Sequence, residues 1–127
     1  MCILELQPAV PGVNLMVDNL KDEVNRMHAQ LCTGIADPNR ILIIYTLAEA
    51  PKCVNDIAKA LDLPQPTVSR HLKVMRENGI VRAERDGQTV VYNLADMRIL
   101  QALELMRAVL ADMLKDQARL ATAAGAK

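Results

Sequence analysis

The fold is decided by the stretch Leu63–Met75, which has the sequence LPQPTVSRHLKVM. Val68, Leu72 and Met75 recur at steps of four and three, the spacing of one apolar helix face. Pro66 is well placed to open this helix, because proline is tolerated in the first helical turn. The stretch therefore predicts an amphipathic helix whose opposite face is polar.

A short helix precedes this stretch and a β-hairpin follows it. Val54–Leu61 forms the short helix, and the two prolines of Asp62–Pro66 mark a turn between the helices. Two β-rich runs, Ile80–Arg85 and Thr89–Asn93, flank Asp86-Gly87, a strong hairpin signal. Two helices joined by a tight turn make a helix-turn-helix, and the hairpin directly after them is a wing.

Longer helices are predicted on both sides of these elements. Apolar residues recur at steps of three and four from Val17 to Ile35 and from Ile99 to Leu120. Asp37-Pro38 is a favoured helix start, and the run from 41 to 48 is apolar almost all round, which predicts a central buried helix. The predicted fold class is mainly α with a β-hairpin, a winged helix-turn-helix.

The length of 127 residues fits one domain. We expect a flexible N-terminal arm over residues 1–14, a winged helix-turn-helix domain for DNA binding and dimerisation over 15–120, and a frayed C-terminal tail over 121–127. The core must be aliphatic, because Phe and Trp are absent and Tyr occurs twice. The sequence has three cysteines without CxxC spacing and no secretory or membrane-spanning segment, which predicts a cytoplasmic protein with free thiols.

The formal net charge of zero hides a polarised distribution. Residues 1–51 carry three basic and six acidic groups, residues 52–85 carry seven and four, and residues 86–127 carry five of each. The positive excess lies on the predicted helix-turn-helix and wing, where DNA phosphates would be met. The balanced total excludes a uniformly basic, histone-like protein and an acidic disordered tail.

Polar side chains are concentrated in the N-terminal half of the predicted helix, the half that reaches base edges in the major groove. Glutamine and arginine pair bidentately with adenine and guanine, and serine, threonine and lysine contact phosphates or bases. Two further polar residues lie at the wing tip, within reach of a flanking minor groove or the backbone. The predicted DNA-binding residues are Gln65, Thr67, Ser69, Arg70, His71, Lys73, Arg85 and Gln88.

Three motifs resemble the ArsR/SmtB family of bacterial winged-helix repressors. Ala36–Ile41 (ADPNRI) is similar to the start of its second helix, Leu63–Met75 to its recognition helix, and Asn78–Val81 to the segment after that helix. The likeness covers about residues 20–115. The resemblance implies a homodimer, paired through the first and last helices, that binds palindromic double-stranded operator DNA and is released by an inducer.

The resemblance also implies an inducer site at cysteine thiolates. Pro51–Ile57 resembles the family's thiolate site, with Cys53 at its first cysteine and Asn55 in place of the second. Some relatives complete the site with an arm cysteine of the partner chain, for which Cys2 is suitably placed, and Cys32 is the third candidate ligand. Because soft thiolates select thiophilic ions, we expect As(III) or another soft metal ion as inducer and no constitutive cofactor.

Alternatives remain open at this point. The family's zinc site on the last helix keeps only Asp96, so we expect that site to be absent. A thiol-redox or persulfide-sensing repressor of the same fold, or a repressor with no metal inducer, would also fit. An enzyme is not expected, because a nucleophilic Cys53 would need a base and only His28 and His71 exist.

Overall fold

The computed structural model describes residues 17–125, and the predicted arm at residues 1–14 lies outside them. Within that range, no helix is long and apolar enough to cross a membrane. The predicted winged helix-turn-helix is confirmed. The elements are α1 (Val17–Met27), a π-helical turn (His28–Cys32), α2 (Thr33–Ile35), α3 (Pro38–Glu49), α4 (Val54–Leu61), α5 (Gln65–Glu77), β1 (Val81–Asp86), β2 (Thr89–Leu94) and α6 (Met97–Gly125).

The core lies where α3, α4 and α5 meet the first residues of the wing. It is aliphatic, as the composition predicts, and α3 is its central helix. Fully burying one such side chain contributes about 1.5–3 kcal/mol, so a few of them hold the three helices together. The core residues are Ile43, Ile44, Leu47, Ile57, Ala58, Val68, Leu72, Met75, Ile80, Val81 and Leu103.

Helix α3 begins where the sequence predicts. Asp37 is its N-cap, and the Oδ1 atom of Asp37 accepts a hydrogen bond from the backbone N–H of Asn39 at 2.8 Å. Pro38 occupies the first turn, where its missing N–H costs no helical hydrogen bond. The cap fixes the point at which the chain turns from α2 into α3.

Helix α4 ends in a tight turn that sets its angle to α5. The backbone N–H of Leu63 donates to the carbonyl of Ala58 at 3.0 Å, and that of Asp62 donates to Lys59 at 3.3 Å. This pair of bonds is the Schellman motif, which needs a left-handed residue after the helix. Asp62 supplies that conformation with φ of 54°.

Helix α5 ends in the same motif. The backbone N–H of Ile80 donates to the carbonyl of Met75 at 2.8 Å, and that of Gly79 donates to Arg76 at 3.1 Å. Gly79 takes the left-handed position with φ of 75°, which explains the glycine that ends the motif in the sequence. Ile80 and Met75 are both fully buried, so this turn anchors the wing to the core.

The wing is a two-stranded antiparallel hairpin in which Val81 pairs with Leu94 and Asp86 pairs with Thr89. The turn is therefore Gly87-Gln88, one residue later than the predicted Asp86-Gly87. Gly87 has φ of 66° at the first turn position, which is characteristic of a type II′ turn.

A third segment joins the wing outside the two strands. Lys52, between α3 and α4, forms an antiparallel bridge with Tyr92. The N–H of Lys52 donates to the Tyr92 carbonyl at 3.1 Å, and the N–H of Tyr92 donates to the Lys52 carbonyl at 2.8 Å. The bridge fixes the wing against the helix-turn-helix.

The two outer helices differ from the sequence prediction. The first helical stretch contains the π-helical turn His28–Cys32, where the Thr33 hydroxyl donates to the carbonyl of His28 at 3.1 Å. Helix α6 continues to Gly125, so residues 121–125 are helical where a frayed tail is expected. Leu103 is the one fully buried residue that α6 contributes.

Candidate nucleic-acid interface

Helix α5 presents a polar face to solvent because its apolar face is fixed in the core. Val68, Leu72 and Met75 are each 0% exposed, so the helix cannot rotate without exposing them. Of the predicted DNA-binding residues on this helix, Thr67 is half-buried. The exposed ones are Gln65, Ser69, Arg70 and Lys73.

His71 does not join this exposed face. Its side chain is 11% exposed, and it lies against α3 rather than towards solvent. The Nδ1 atom of His71 is 3.3 Å from Nη1 of Arg40, and its Nε2 atom is 3.8 Å from Oδ1 of Asp37. His71 is therefore not on the exposed polar face of α5, although the sequence predicts it among the DNA-binding residues.

The wing places its two predicted contact residues at the far end of the hairpin. Arg85 pairs with Val90 one step before the end of the strands, and Gln88 lies in the turn. Both side chains are exposed. The structure thus brings an exposed helix face and an exposed hairpin tip onto one domain, held in place by the Lys52–Tyr92 bridge.

A cavity between α5 and the wing adds two candidate residues. It is lined by Ser69, Lys73, Arg76, Glu77 and Tyr92. Arg76 follows Lys73 by three residues and Ser69 by seven, so helical spacing alone could have added it to the predicted set. Tyr92 could not be found in this way, because its position depends on how β2 packs beside α5.

The basic side chains of this surface are free of acidic partners within the described range. Ion pairs among residues 17–125 join Arg98 to Asp96 and Arg107 to Glu104, and the His71 ring lies 3.8 Å from the Asp37 carboxylate. No lysine or arginine of α5 or the wing is among them. Their positive charge is therefore not neutralised locally, as contact with phosphates requires. These residues are Arg70, Lys73, Arg76 and Arg85.

Asp96, the one residue retained from the family's zinc site, has a structural role here. Its Oδ1 atom accepts a hydrogen bond from the backbone N–H of Arg98 at 2.9 Å, at the start of α6. The Arg98 guanidinium also donates to both carboxylate oxygens, at 2.7–3.2 Å. These bonds to Arg98 lower the pKa of Asp96 to about 2.

The cysteines are spread over different elements. Cys53 is the N-cap residue of α4 and makes no capping hydrogen bond through its side chain. Cys32 ends the π-helical turn, both thiols are half-buried, and Cys2 lies outside the described residues. Among residues 17–125 of one protomer, no three His, Cys, Asp or Glu side chains come together as a metal site.

Comparison with known proteins gives a consistent set of relatives. The HTH-type transcriptional repressor SmtB of Mycobacterium tuberculosis is 45% identical over 67 residues, which cover 53% of this chain and 50% of that protein. The chain thus matches about half the length of that relative. The cadmium resistance transcriptional regulatory protein CadC of Listeria innocua is 32% identical over 97 residues, covering 67% of this chain and 82% of that protein.

A solved structure agrees with these relatives. The homodimeric winged helix-turn-helix DNA-binding domain Mb0332 of Mycobacterium bovis superposes with a TM-score of 0.61 at 25% identity, covering 81% of this chain and 92% of that one. Residues 37–83, from the N-cap of α3 to the middle of β1, match the model of the arsR family of bacterial regulatory proteins. With a relative of 32% identity aligned over most of its length, the chain belongs to this family of transcriptional regulators rather than to an enzyme family.

Proposed function

We propose that this chain is a homodimeric transcriptional repressor that binds a palindromic operator through α5 and the wing of each protomer. The observation that carries the proposal is the exposed, unneutralised basic face of α5 beside the wing. Gln65, Ser69 and Arg70 face solvent in the N-terminal half of the helix, the half that enters a major groove, and Lys73 faces solvent in the following turn. In a symmetric dimer, the two copies of α5 contact half-sites about 34–36 Å apart.

The outer helices supply the surfaces for the dimer. Large apolar residues on α1, the π-helical turn and α6 are exposed, and exposed apolar surface of this extent supports an interaction site. The relative Mb0332, a homodimer, has the same fold. The exposed residues are Val24, Met27, Leu31, Leu105, Met106, Val109, Leu110, Met113, Leu114 and Leu120.

The test is operator binding by Arg70→Ala, measured by fluorescence anisotropy on a duplex that the wild-type protein selects from random DNA. We expect the affinity to fall by about 5- to 150-fold if Arg70 contacts a base. If Arg70 contacts a phosphate, the slope of log affinity against log salt falls by about one unit.

The matched control is Arg119→Ala, which removes the same charge from an exposed position on α6. Equal affinities for the wild type and Arg70→Ala would remove Arg70 from the interface. Failure of the wild-type protein to select any duplex would overturn the proposed function.

We further propose that a thiophilic inducer, As(III) or another soft metal ion, releases the operator by binding cysteine thiolates, with Cys53 as the first ligand. Cys53 is partly exposed at the start of α4, and α4 packs against α5, so a change at this thiol acts next to the DNA-contacting helix. The relative CadC is named for cadmium resistance. A complete ligand set requires Cys2 or a cysteine of the second protomer, since the described residues of one protomer do not supply it.

Cys53→Ser tests this part of the proposal. The preformed operator complex is titrated with As(III), Cd(II), Zn(II) and, separately, a persulfide donor under reducing conditions. We expect Cys53→Ser to bind the operator like the wild type but to need at least about tenfold more As(III) or Cd(II) for release. Cys32→Ser is titrated in the same way, because Cys32 is the third candidate ligand. Release by the persulfide donor alone supports a thiol-redox repressor instead, and an unchanged response of Cys53→Ser removes this residue from the mechanism.

A further inference from the structure

On the side of α5 that faces α3, partly buried polar side chains join the two helices. His71 is the only member of the predicted DNA-binding set whose side chain forms a hydrogen bond to another helix within residues 17–125. Its Nδ1 atom lies 3.3 Å from Nη1 of Arg40, and its Nε2 atom lies 3.8 Å from Oδ1 of Asp37. These three residues form what we call the Asp37–Arg40–His71 link.

Arg40 extends this link to the end of the first helical stretch. Its Nε atom donates to the carbonyl of Gly34 at 3.1 Å, and its Nη2 atom donates to the carbonyl of Thr33 at 3.0 Å. These carbonyls belong to α2, and that of Thr33 also accepts a hydrogen bond from the backbone N–H of Ala36 at 3.4 Å. One guanidinium therefore binds α2 and α5 simultaneously.

The chemistry of arginine fixes the state of His71. A guanidinium has only donors, so the Nδ1 atom of His71 must be the acceptor in the bond with Arg40. The imidazole proton then lies on Nε2, which is the atom that faces Asp37. The geometry thus fits a neutral imidazole with one defined tautomer.

The same helical stretch touches the end of α5 at two further points. The side-chain amide of Gln30, in the π-helical turn, donates to the carbonyl of Asn78 at 3.3 Å. Gly34 packs so closely on Ile80 that a Cβ atom would lie 2.6 Å from Cγ1 of Ile80. The segment that follows α1 is therefore fixed against α5 at its middle and at its end.

Helix α1 itself makes no substantial contact with the described chain beyond the adjoining π-helical turn. Its direction relative to α5 is consequently set by the residues after it. Residues 17–32 span about 24 Å at 1.5 Å per residue. A rotation of about 10° at the link therefore displaces the far end by about 4 Å, more than the 3.4 Å between base pairs.

We propose that Arg40 and His71 are positioning residues that fix the angle between the dimer-forming helix α1 and α5, and so set the spacing of the two half-sites. The inference rests on the proposed dimeric, DNA-binding function. It replaces the sequence-based role of His71 as a base contact. A positioning residue changes which half-site spacing is preferred, whereas a contact residue lowers affinity at every spacing.

The test compares duplexes in which the selected operator has its half-sites moved by −2 to +2 base pairs. His71→Leu introduces a side chain of similar volume that has no hydrogen-bond acceptor. His71→Asn retains an acceptor near the position of Nδ1. We expect His71→Leu to reduce the discrimination between the preferred spacing and its neighbours by about fivefold, a typical size for residues that couple two sites. His71→Asn should restore most of it. Ser69→Ala, the contact control, should lower affinity evenly across the series.

An equal loss of affinity at all spacings for His71→Leu would overturn the inference. A DNA-independent measurement separates this failure from failure of the proposed function. Long-range ¹H–¹⁵N NMR of the His71 ring should show the Nε2–H tautomer in the wild type, and loss of that single tautomer in Arg40→Gln. A wild-type ring protonated on Nδ1 contradicts the link whether or not the protein binds DNA.

Discussion

Helices α5 and α6 are both amphipathic, yet the protomer covers the apolar face of one and leaves that of the other open. Val68, Leu72 and Met75 of α5 are each 0% exposed, whereas Leu105 and Leu120 of α6 are each 70% exposed. The helix-turn-helix therefore completes its own core. Helix α6 adds Leu103 to that core and leaves its later apolar side chains exposed, where the proposed dimer would remove them from water.

The helix-turn-helix and α6 differ in what holds them in place. The angle between α4 and α5 is set within one chain by the core and by the Schellman turn that ends α4. The side chains of α6 beyond Leu103 are exposed, and in the proposed dimer a partner would cover them. Substitutions in the two regions should consequently affect different measurements, stability in one case and assembly in the other.

The largest effect on stability is expected on the buried apolar face of α5. Leu72→Ala leaves a cavity among α3, α4 and α5, and such truncations cost about 2–5 kcal/mol. The free energy of unfolding from urea denaturation should fall by this amount. Leu105→Ala is the matched control on α6, compared at a protein concentration at which the chain is monomeric, and a loss as large as that of Leu72→Ala would show that α6 is covered within the protomer.

On the exposed apolar face of α6, we expect a smaller change in the free energy of unfolding but a marked loss of dimerisation. Leu110→Glu places a charge on the apolar face of α6, and an unpaired buried charge costs about 3 kcal/mol or more, which corresponds to at least about 100-fold weaker dimerisation. Light scattering coupled to gel filtration should show monomers at concentrations where the wild type is dimeric.

Ala108→Glu introduces the same residue two positions away, on the opposite side of the helix. It should remain dimeric, since this position is exposed and lies off the apolar face. If both variants dissociate, the dimer does not form through the predicted face. If neither does, α6 is not the interface.

Much of this architecture could be predicted from local signals in the sequence. The start of α3 followed from Asp37-Pro38, and the end of α5 followed from Gly79, because capping and left-handed turns depend on a few adjacent residues. The polar face of α5 was predicted by spacing alone. The π-helical turn, whose Gln30 bonds to Asn78, and the Lys52–Tyr92 bridge were not, since both involve contacts between segments distant in the chain.

The residues of the candidate site also fall into those that the sequence predicts and those that depend on tertiary packing. Gln65, Ser69, Arg70 and Lys73 are exposed, as the helical period predicts. Arg76 was available to the same reasoning, whereas Tyr92 depends on the packing of β2 beside α5. The role of the cysteines stays a prediction, because Cys53 and Cys32 lie on separate elements and no residue pattern states which thiols of two chains converge.

The sequence by itself determined the winged helix-turn-helix, since helical period, caps and turn residues act over a few positions and leave few alternatives for the chain. Only the tertiary structure decided the direction of His71, because helical period places this residue at the edge of the polar face. The Arg40 guanidinium, which also binds the end of α2, holds the His71 side chain in the interior rather than in solvent. Short-range physics fixed the elements, and long-range hydrogen bonding assigned this side chain to the link between helices.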